Sequence, residues 1–184
     1  MLAQGDQPWV SDERRIQPER SEADTIFGEA VSPSPTPMSH AYSRNYVHLV
    51  FATKDRRRVL KAPVQQRLWP YLASIAHEYG ITVIAIGGGE DHVHLLLAIP
   101  PKLSVATVIR ALKADSSKWM SETGHWFAWQ AGYGSFSVSM SNLNAVAEYI
   151  RQQPEHHQTR DFEQEYFALL KKHGVEFTPE RVFG

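Results

Sequence analysis

Residues Ile81–Pro100 read ITVIAIGGGEDHVHLLLAIP. Two runs of branched and aliphatic residues flank a short turn at Gly88–Asp91, the pattern of two strands joined as an antiparallel hairpin. Side chains alternate across a strand, so Val93, Leu95, Leu97 and Ile99 share one wholly apolar face that must pack on helices. His92 and His94 open the opposite face, which Leu96 and Ala98 continue. Two imidazoles on one strand face can chelate a divalent cation. Taken alone the motif is short, and its ordinary reading is a half-exposed strand start that carries two histidines.

The pattern continues on both sides of the hairpin. NYVHLVFAT (Asn45–Thr53) reads as a strand, followed by the basic turn KDRRRVL. Pro63 opens a helix with Leu68, Leu72, Ile75 and Tyr79 at helical spacing and Gly80 at its end. Beyond the hairpin, Ser104 caps a second helix whose stripe is Val105, Val108, Ile109, Leu112, Trp119 and Met120. GSFSVSM (Gly134–Met140) alternates as a short strand, with Phe136 and Val138 on one face. SNLNAVAEYIRQQ is a third helix with the stripe Leu143, Val146, Ala147 and Ile150. A last helix runs over Phe162–Lys172, with Asp161 as N-cap and Gly174 as stop. The order β-α-β-β-α-β, then helices, is the split βαβ or ferredoxin-like arrangement. It predicts an α+β fold: a four-stranded antiparallel sheet with two helices on one face, its other face open to a ligand or to the additional C-terminal helices. That fold serves RNA-binding modules, small enzymes and metal-binding domains alike, so it does not choose a function.

Composition narrows the class. The 184 residues hold no cysteine, which excludes disulfides and thiolate metal sites. No apolar run approaches the roughly 18 residues of a membrane span, and the N-terminus lacks a signal-peptide layout. The expectation is a soluble cytoplasmic protein with no membrane partner. Residues 1–37 carry seven acids (Asp6, Asp12, Glu13, Glu19, Glu22, Asp24 and Glu29) against Arg14, Arg15 and Arg20, and end in VSPSPTP. Such a stretch cannot bury enough surface to offset its ordering entropy. It reads as a disordered, acidic, proline-rich extension, with residues 38–184 as the functional domain. Without it the chain is mildly basic, which suits a polyanion only where the charges cluster.

Further candidates lie outside the hairpin. Tyr149 and Gln153 stand one turn apart at the margin of the third helix's stripe, placed to reach a cleft beside the sheet. Tyrosine can act as a covalent nucleophile and an amide oxygen can ligate a hard cation. The ordinary alternative is a boundary core tyrosine and a solvated glutamine. Lys54, Arg56, Arg57 and Arg58 form one basic cluster, and Arg110, Lys113 and Lys118 lie on the second helix. With Trp119, Trp126, Phe127 and Trp129 they can contact phosphates and stack on unpaired bases, or simply be a charged face beside an aromatic core.

Together, YVHLVFATKDRRRVL, GGGEDHVHLLLAIP, FAWQAGYGSFSVS, NAVAEYIRQQPEHH and FEQEYFALLKKHGVEF resemble the single-tyrosine HUH transposases, U being a bulky apolar residue. More narrowly they are similar to the insertion sequence 200/605 family and its REP-associated relatives, over about Ser39–Phe183. The resemblance implies a transposase that cleaves and rejoins hairpin-flanked single-stranded DNA through a 5′-phosphotyrosine. Tyr149 is then the nucleophile, and His92, His94 and Gln153 hold Mg2+ or Mn2+. Lys54, Arg56, Arg57, Arg58, Arg110 and Lys113 face the nucleic acid. It implies a homodimer with sites completed in trans, or a monomer if the chain is of the REP-associated type. Pro154 disfavours helical geometry at Gln153, so Glu155, His156 or His157 stand as substitute ligands. Two rivals remain: a domesticated protein that binds or processes hairpin DNA, and a non-enzymatic nucleic-acid-binding module. RRM domains share the strand order but put stacking aromatics where this chain has His92 and His94.

Overall fold

β2 (Thr82–Gly87) and β3 (His92–Ile99) form the predicted hairpin, with Gly87 opposite His94 and a register shift between Val83 and Ala85. β1 (Asn45–Ala52) pairs antiparallel along the other edge of β3, Ala52 opposite His92 and Val50 opposite His94. β4 (Gly134–Val138) pairs antiparallel with β1. The order across the sheet is β2-β3-β1-β4, so the α+β, ferredoxin-like expectation holds. The computed structural model describes residues 42–122, 126–153 and 161–182. The acidic extension over 1–37 and the substitute ligands Glu155, His156 and His157 lie outside the described residues.

α1 (Ala62–Glu78) and α2 (Val105–Glu122) cover the face that the alternation marked as apolar. Val93, Leu95, Leu97 and Ile99 pack there with Leu49, Phe51, Leu68, Leu72, Val108 and Leu112. Each fully buried aliphatic side chain contributes about 1.5–3 kcal/mol, so this layer carries most of the cohesion of the sheet. α1 has a proline in its first turn and stops before Gly80, whose φ of 69° is the left-handed conformation that ends helices. At the start of α2, the Thr107 N–H donates to Ser104 Oγ at 3.2 Å.

The second face is covered too. α3 (Leu143–Arg151) lies over β2 and β3, where Ala147 and Ile150 pack on Ala85 and Leu96. α4 (Phe162–Lys172) lies over β1 and β4, where Phe162, Tyr166 and Leu170 pack on Val50, Ala52 and Phe136. Three local details differ from the sequence reading. A 3-10 turn, Met140–Asn142, precedes α3; Asp161 occupies the N-cap of α4 without a side-chain capping bond; and a short helix, α5 (Pro179–Val182), follows. The turn signals around these sites fix the boundary but not the hydrogen bond within it. α3 comes very close to the sheet at Gly87, where a Cβ would lie 2.2 Å from the Ile150 carbonyl oxygen. Only a residue without a side chain permits that approach.

Candidate metal and nucleophile site

Between α3 and α4 the sheet presents imidazoles instead of aliphatic groups. His92 and His94 are fully buried, and His48 from β1 is nearly so. Buried polar groups are costly unless hydrogen-bonded, and each ring here is held. The Gly89 N–H donates to His92 Nε2 at 3.2 Å, and His92 Nδ1 lies 2.7 Å from Asp91 Oδ1. Accepting at Nε2 places the proton of a neutral ring on Nδ1, facing the carboxylate. Phe162 stacks flat on this ring, with centroids 4.1 Å apart. His94 Nδ1 lies 2.9 Å from His48 Nε2. Burial, with a smaller push from His173 and Lys172, lowers the His48 pKa to about 4, so His48 is neutral at neutral pH.

Three more side chains close the cluster: Tyr149 of α3, Gln153 just past the end of α3, and Glu165 of α4. The Tyr149 hydroxyl donates to Glu165 Oε1. Gln153 Nε2 donates to the same oxygen at 2.7 Å. His94 Nε2 is 3.5 Å from it. Tyr149 also stands edge-on to the rings of His48 and His94, with centroids 6.3 and 6.1 Å away. A cavity of about 520 Å³ opens beside Tyr149, lined by His48, Glu165, Lys172 and His173 among others.

The structure thus brings His92, His94, Tyr149 and Gln153 together. It adds His48 and Glu165, which the sequence reading missed. Both had a signal. His48 is the one imidazole on the same strand face as Val50 in an otherwise apolar β1, and Glu165 interrupts the apolar stripe Phe162–Tyr166–Leu170 of α4. One ligand atom each from His92, His94 and Glu165 lie within 4.8 Å of one another. Two imidazoles and a carboxylate suit a divalent cation.

The basic candidates separate. The 53–60 segment is tied to the turn before His92 by Thr53 N–H to Asp91 O and Leu60 N–H to Glu90 O, both 2.8 Å. Lys54 and Arg57 lie on this segment, and both flank Trp126, at 5.8 and 5.6 Å from its ring centroid. Trp126 is 63% exposed, whereas Trp119, Phe127 and Trp129 are buried in the core. Arg56 pairs with Glu163 on α4 at 2.6 Å, and Arg58 with Glu90 at 2.9 Å. Arg110 is exposed on α2. Lys113 Nζ donates to the carbonyls of Gln130 and Gly132 at 2.7 and 2.8 Å, and burial lowers its pKa to about 8. It is spent on holding the loop before β4.

Fold and site together define a ferredoxin-like domain with paired strand histidines facing a helix-borne tyrosine. The family model of IS200-like transposases matches residues 41–153, from just before β1 to the end of α3. The chain belongs to the IS200-like transposase family, whose members cut and rejoin DNA. It is 30% identical over 130 residues to the ISDra2 transposase TnpA of Deinococcus radiodurans, covering 64% of this chain and 93% of that protein. It is 28% identical over 116 residues to the transposase for insertion sequence element IS200 of Salmonella typhimurium, covering 59% and 76%. A crystal structure of a Deinococcus radiodurans R1 protein assigned as a transposase superposes with a TM-score of 0.52 at 28% identity, over 64% of this chain and 97% of that one. A REP-associated tyrosine transposase bound to a REP hairpin shares the fold, with a TM-score of 0.52 at 15% identity over 66% and 74%. Among the described residues no helix is long and apolar enough to cross a membrane.

Proposed function

We propose that this chain cleaves and rejoins single-stranded DNA at hairpin ends, with Tyr149 as nucleophile and His92 and His94 as ligands of a divalent cation. The observation that carries the reading is the meeting of the Tyr149 hydroxyl with the buried imidazole pair at one carboxylate. When bound, Mg2+ or Mn2+ supplies Lewis-acid polarisation of the scissile phosphate and offsets its charge. Oxygen and carboxylate donors favour Mg2+, and imidazoles favour Mn2+ at least as well.

The chain's own groups do the rest. The hydrogen bond to Glu165 holds the Tyr149 hydroxyl at the edge of the cavity, oriented before substrate arrives. Its oxygen attacks phosphorus, the bond from phosphorus to the 3′ oxygen breaks, and the phenolic proton ends on the departing 3′-hydroxyl. A 5′-phosphotyrosine results. One phosphodiester has replaced another, so the bond energy is kept and a second 3′-hydroxyl can reverse the step without a nucleotide cofactor. Lys54 and Arg57 contact backbone phosphates beside the site, and Trp126 between them offers an exposed face for an unpaired base. Hairpin DNA is the proposed partner because a structural neighbour is bound to a REP hairpin.

Incubation with a single-stranded hairpin oligonucleotide and Mn2+, followed by a denaturing gel, is expected to show a covalent adduct that Tyr149→Phe abolishes. An adduct that survives this substitution removes Tyr149 from the role. Tyr149 and the histidines meet within one chain, which supports a site completed in cis and so the monomeric alternative to trans assembly. Mixing Tyr149→Phe with His92→Ala is then expected to restore no adduct. Recovery in the mixture would establish the trans arrangement.

A further inference from the structure

Which residue completes the metal site bears on how the nucleophile is controlled. We infer that the third protein ligand is Glu165 of α4, and that Gln153 is a positioning residue that holds the Glu165 carboxylate. The inference deepens the proposed function and rests on its assignment of a cation to His92 and His94. Glu165 lies on α4, beyond the residues 41–153 that the family model matches.

Four observations converge. First, ligand atoms of His92, His94 and Glu165 lie within 4.8 Å of one another, and all three residues are buried. Second, Gln153 meets Glu165 through its amide nitrogen, at 2.7 Å. A carboxylate oxygen accepts only from a donor, so the Gln153 amide presents its NH2 to Glu165 and acts on the carboxylate as a hydrogen-bond donor. Third, a carboxylate is the better partner for a hard cation than a neutral amide. Fourth, both imidazoles are oriented through Nδ1, by Asp91 and by His48. Outer-sphere bonds of this kind turn ligating histidines toward a metal. At His92 the Nε2 lone pair accepts the Gly89 N–H at 3.2 Å, a bond that a cation held there would displace.

The assignment changes the logic of the site. With Gln153 as ligand, α3 and the residues directly after it would carry both the nucleophile and part of the metal site. With Glu165 as ligand, the metal site belongs to β3 and α4, and α3 delivers only Tyr149. Cation and phenol would then share one carboxylate, so metal binding and the resting position of Tyr149 would be linked through Glu165.

The test is Mn2+ binding to the full chain without DNA, read by the free-Mn2+ electron paramagnetic resonance signal and by calorimetry. Wild-type protein is expected to bind one Mn2+. Glu165→Gln, which keeps the shape and the acceptor oxygen, is expected to weaken binding at least 100-fold, and Glu165→Asp to recover part of it. Gln153→Ala is expected to weaken it about tenfold, as loss of an outer-sphere partner does, with the stoichiometry unchanged. Circular dichroism checks that each variant is folded, and Glu165→Asp keeps the question open to decision if Glu165→Gln is not. Binding unchanged in Glu165→Gln, or lost in Gln153→Ala while Glu165→Gln retains it, overturns the assignment. The gel assay separates the two readings: Mn2+ binding that depends on Glu165 in a protein that forms no adduct keeps the ligand and rejects the nucleophile. Adduct formation with Glu165-independent binding does the reverse.

Discussion

On the α1/α2 side of the sheet, β1 and β3 present Val47, Leu49, Phe51, Val93, Leu95, Leu97 and Ile99, all buried and all apolar. On the α3/α4 side the same strands present His48, Val50, His92, His94 and Leu96, equally buried. Burial is the same and the chemistry is not. The first face is one continuous cluster held by non-directional contacts. The second is two small apolar islands, around Ile150 and around Phe162, with a polar seam between them. Every group in the seam described above has a directional partner, because a buried imidazole or carboxylate without one would cost several kcal/mol. Strand alternation therefore lets one β-strand serve a layer built for cohesion and a layer built for chemistry, each altered without the other.

That separation can be broken at its strong side first. Leu95→Ala opens a cavity in the continuous cluster and is expected to cost about 2–5 kcal/mol, measured by urea denaturation, while the folded fraction keeps its Mn2+ affinity. A cost below about 1 kcal/mol would show that this layer does not hold the sheet. Gly87→Ala tests the other side. Its Cβ would lie 2.2 Å from the Ile150 carbonyl, so α3 must shift, at about 1–3 kcal/mol. Adduct yield in the folded variant is expected to fall at least tenfold, and a variant with full yield would show that the close approach does not position Tyr149. A third effect appears in acid. The folded state holds the His48 proton less tightly than the unfolded chain, with a pKa of about 4 against 6.5. Its contribution is present above about pH 6.5 and lost as pH falls toward 4, about 2 kcal/mol by pH 5. Denaturation profiles with chelator at pH 7 and pH 5 measure this, and His48→Gln is expected to flatten the difference. An unchanged slope in that variant would assign the acid sensitivity elsewhere.

The cohesive face was legible from sequence because it is written in local period: Val93 to Ile99 alternate, and Leu68, Leu72, Val108 and Leu112 recur at helical spacing. His92 and His94 were legible for the same reason, as neighbours on one strand face. Tyr149 and Gln153 stood out by helical spacing and by resemblance. Glu165 and His48 were not found, because their meaning depends on which elements pack together. Glu165 meets Tyr149 across 16 positions of sequence, and His48 meets His94 across 46. No local period encodes those meetings. The contacts of Lys113 depend on packing in the same way. A lysine on a helix reads as solvated until a loop is seen to fold its carbonyls around the ammonium.

The bare contact between Gly87 and Ile150 also has a mechanical meaning. It is a fulcrum, backbone against backbone with no compressible side chain between, and it sits one residue from Tyr149. At 1.5 Å of rise per residue, the Leu143 end of α3 lies about 10 Å away on the long arm of the lever. Any rotation of α3 about this contact carries Leu143 and Asn142 further than the backbone of Tyr149. The mouth of the cavity at the Leu143 end of α3 is therefore the part of the site that can widen most for the least displacement at Tyr149.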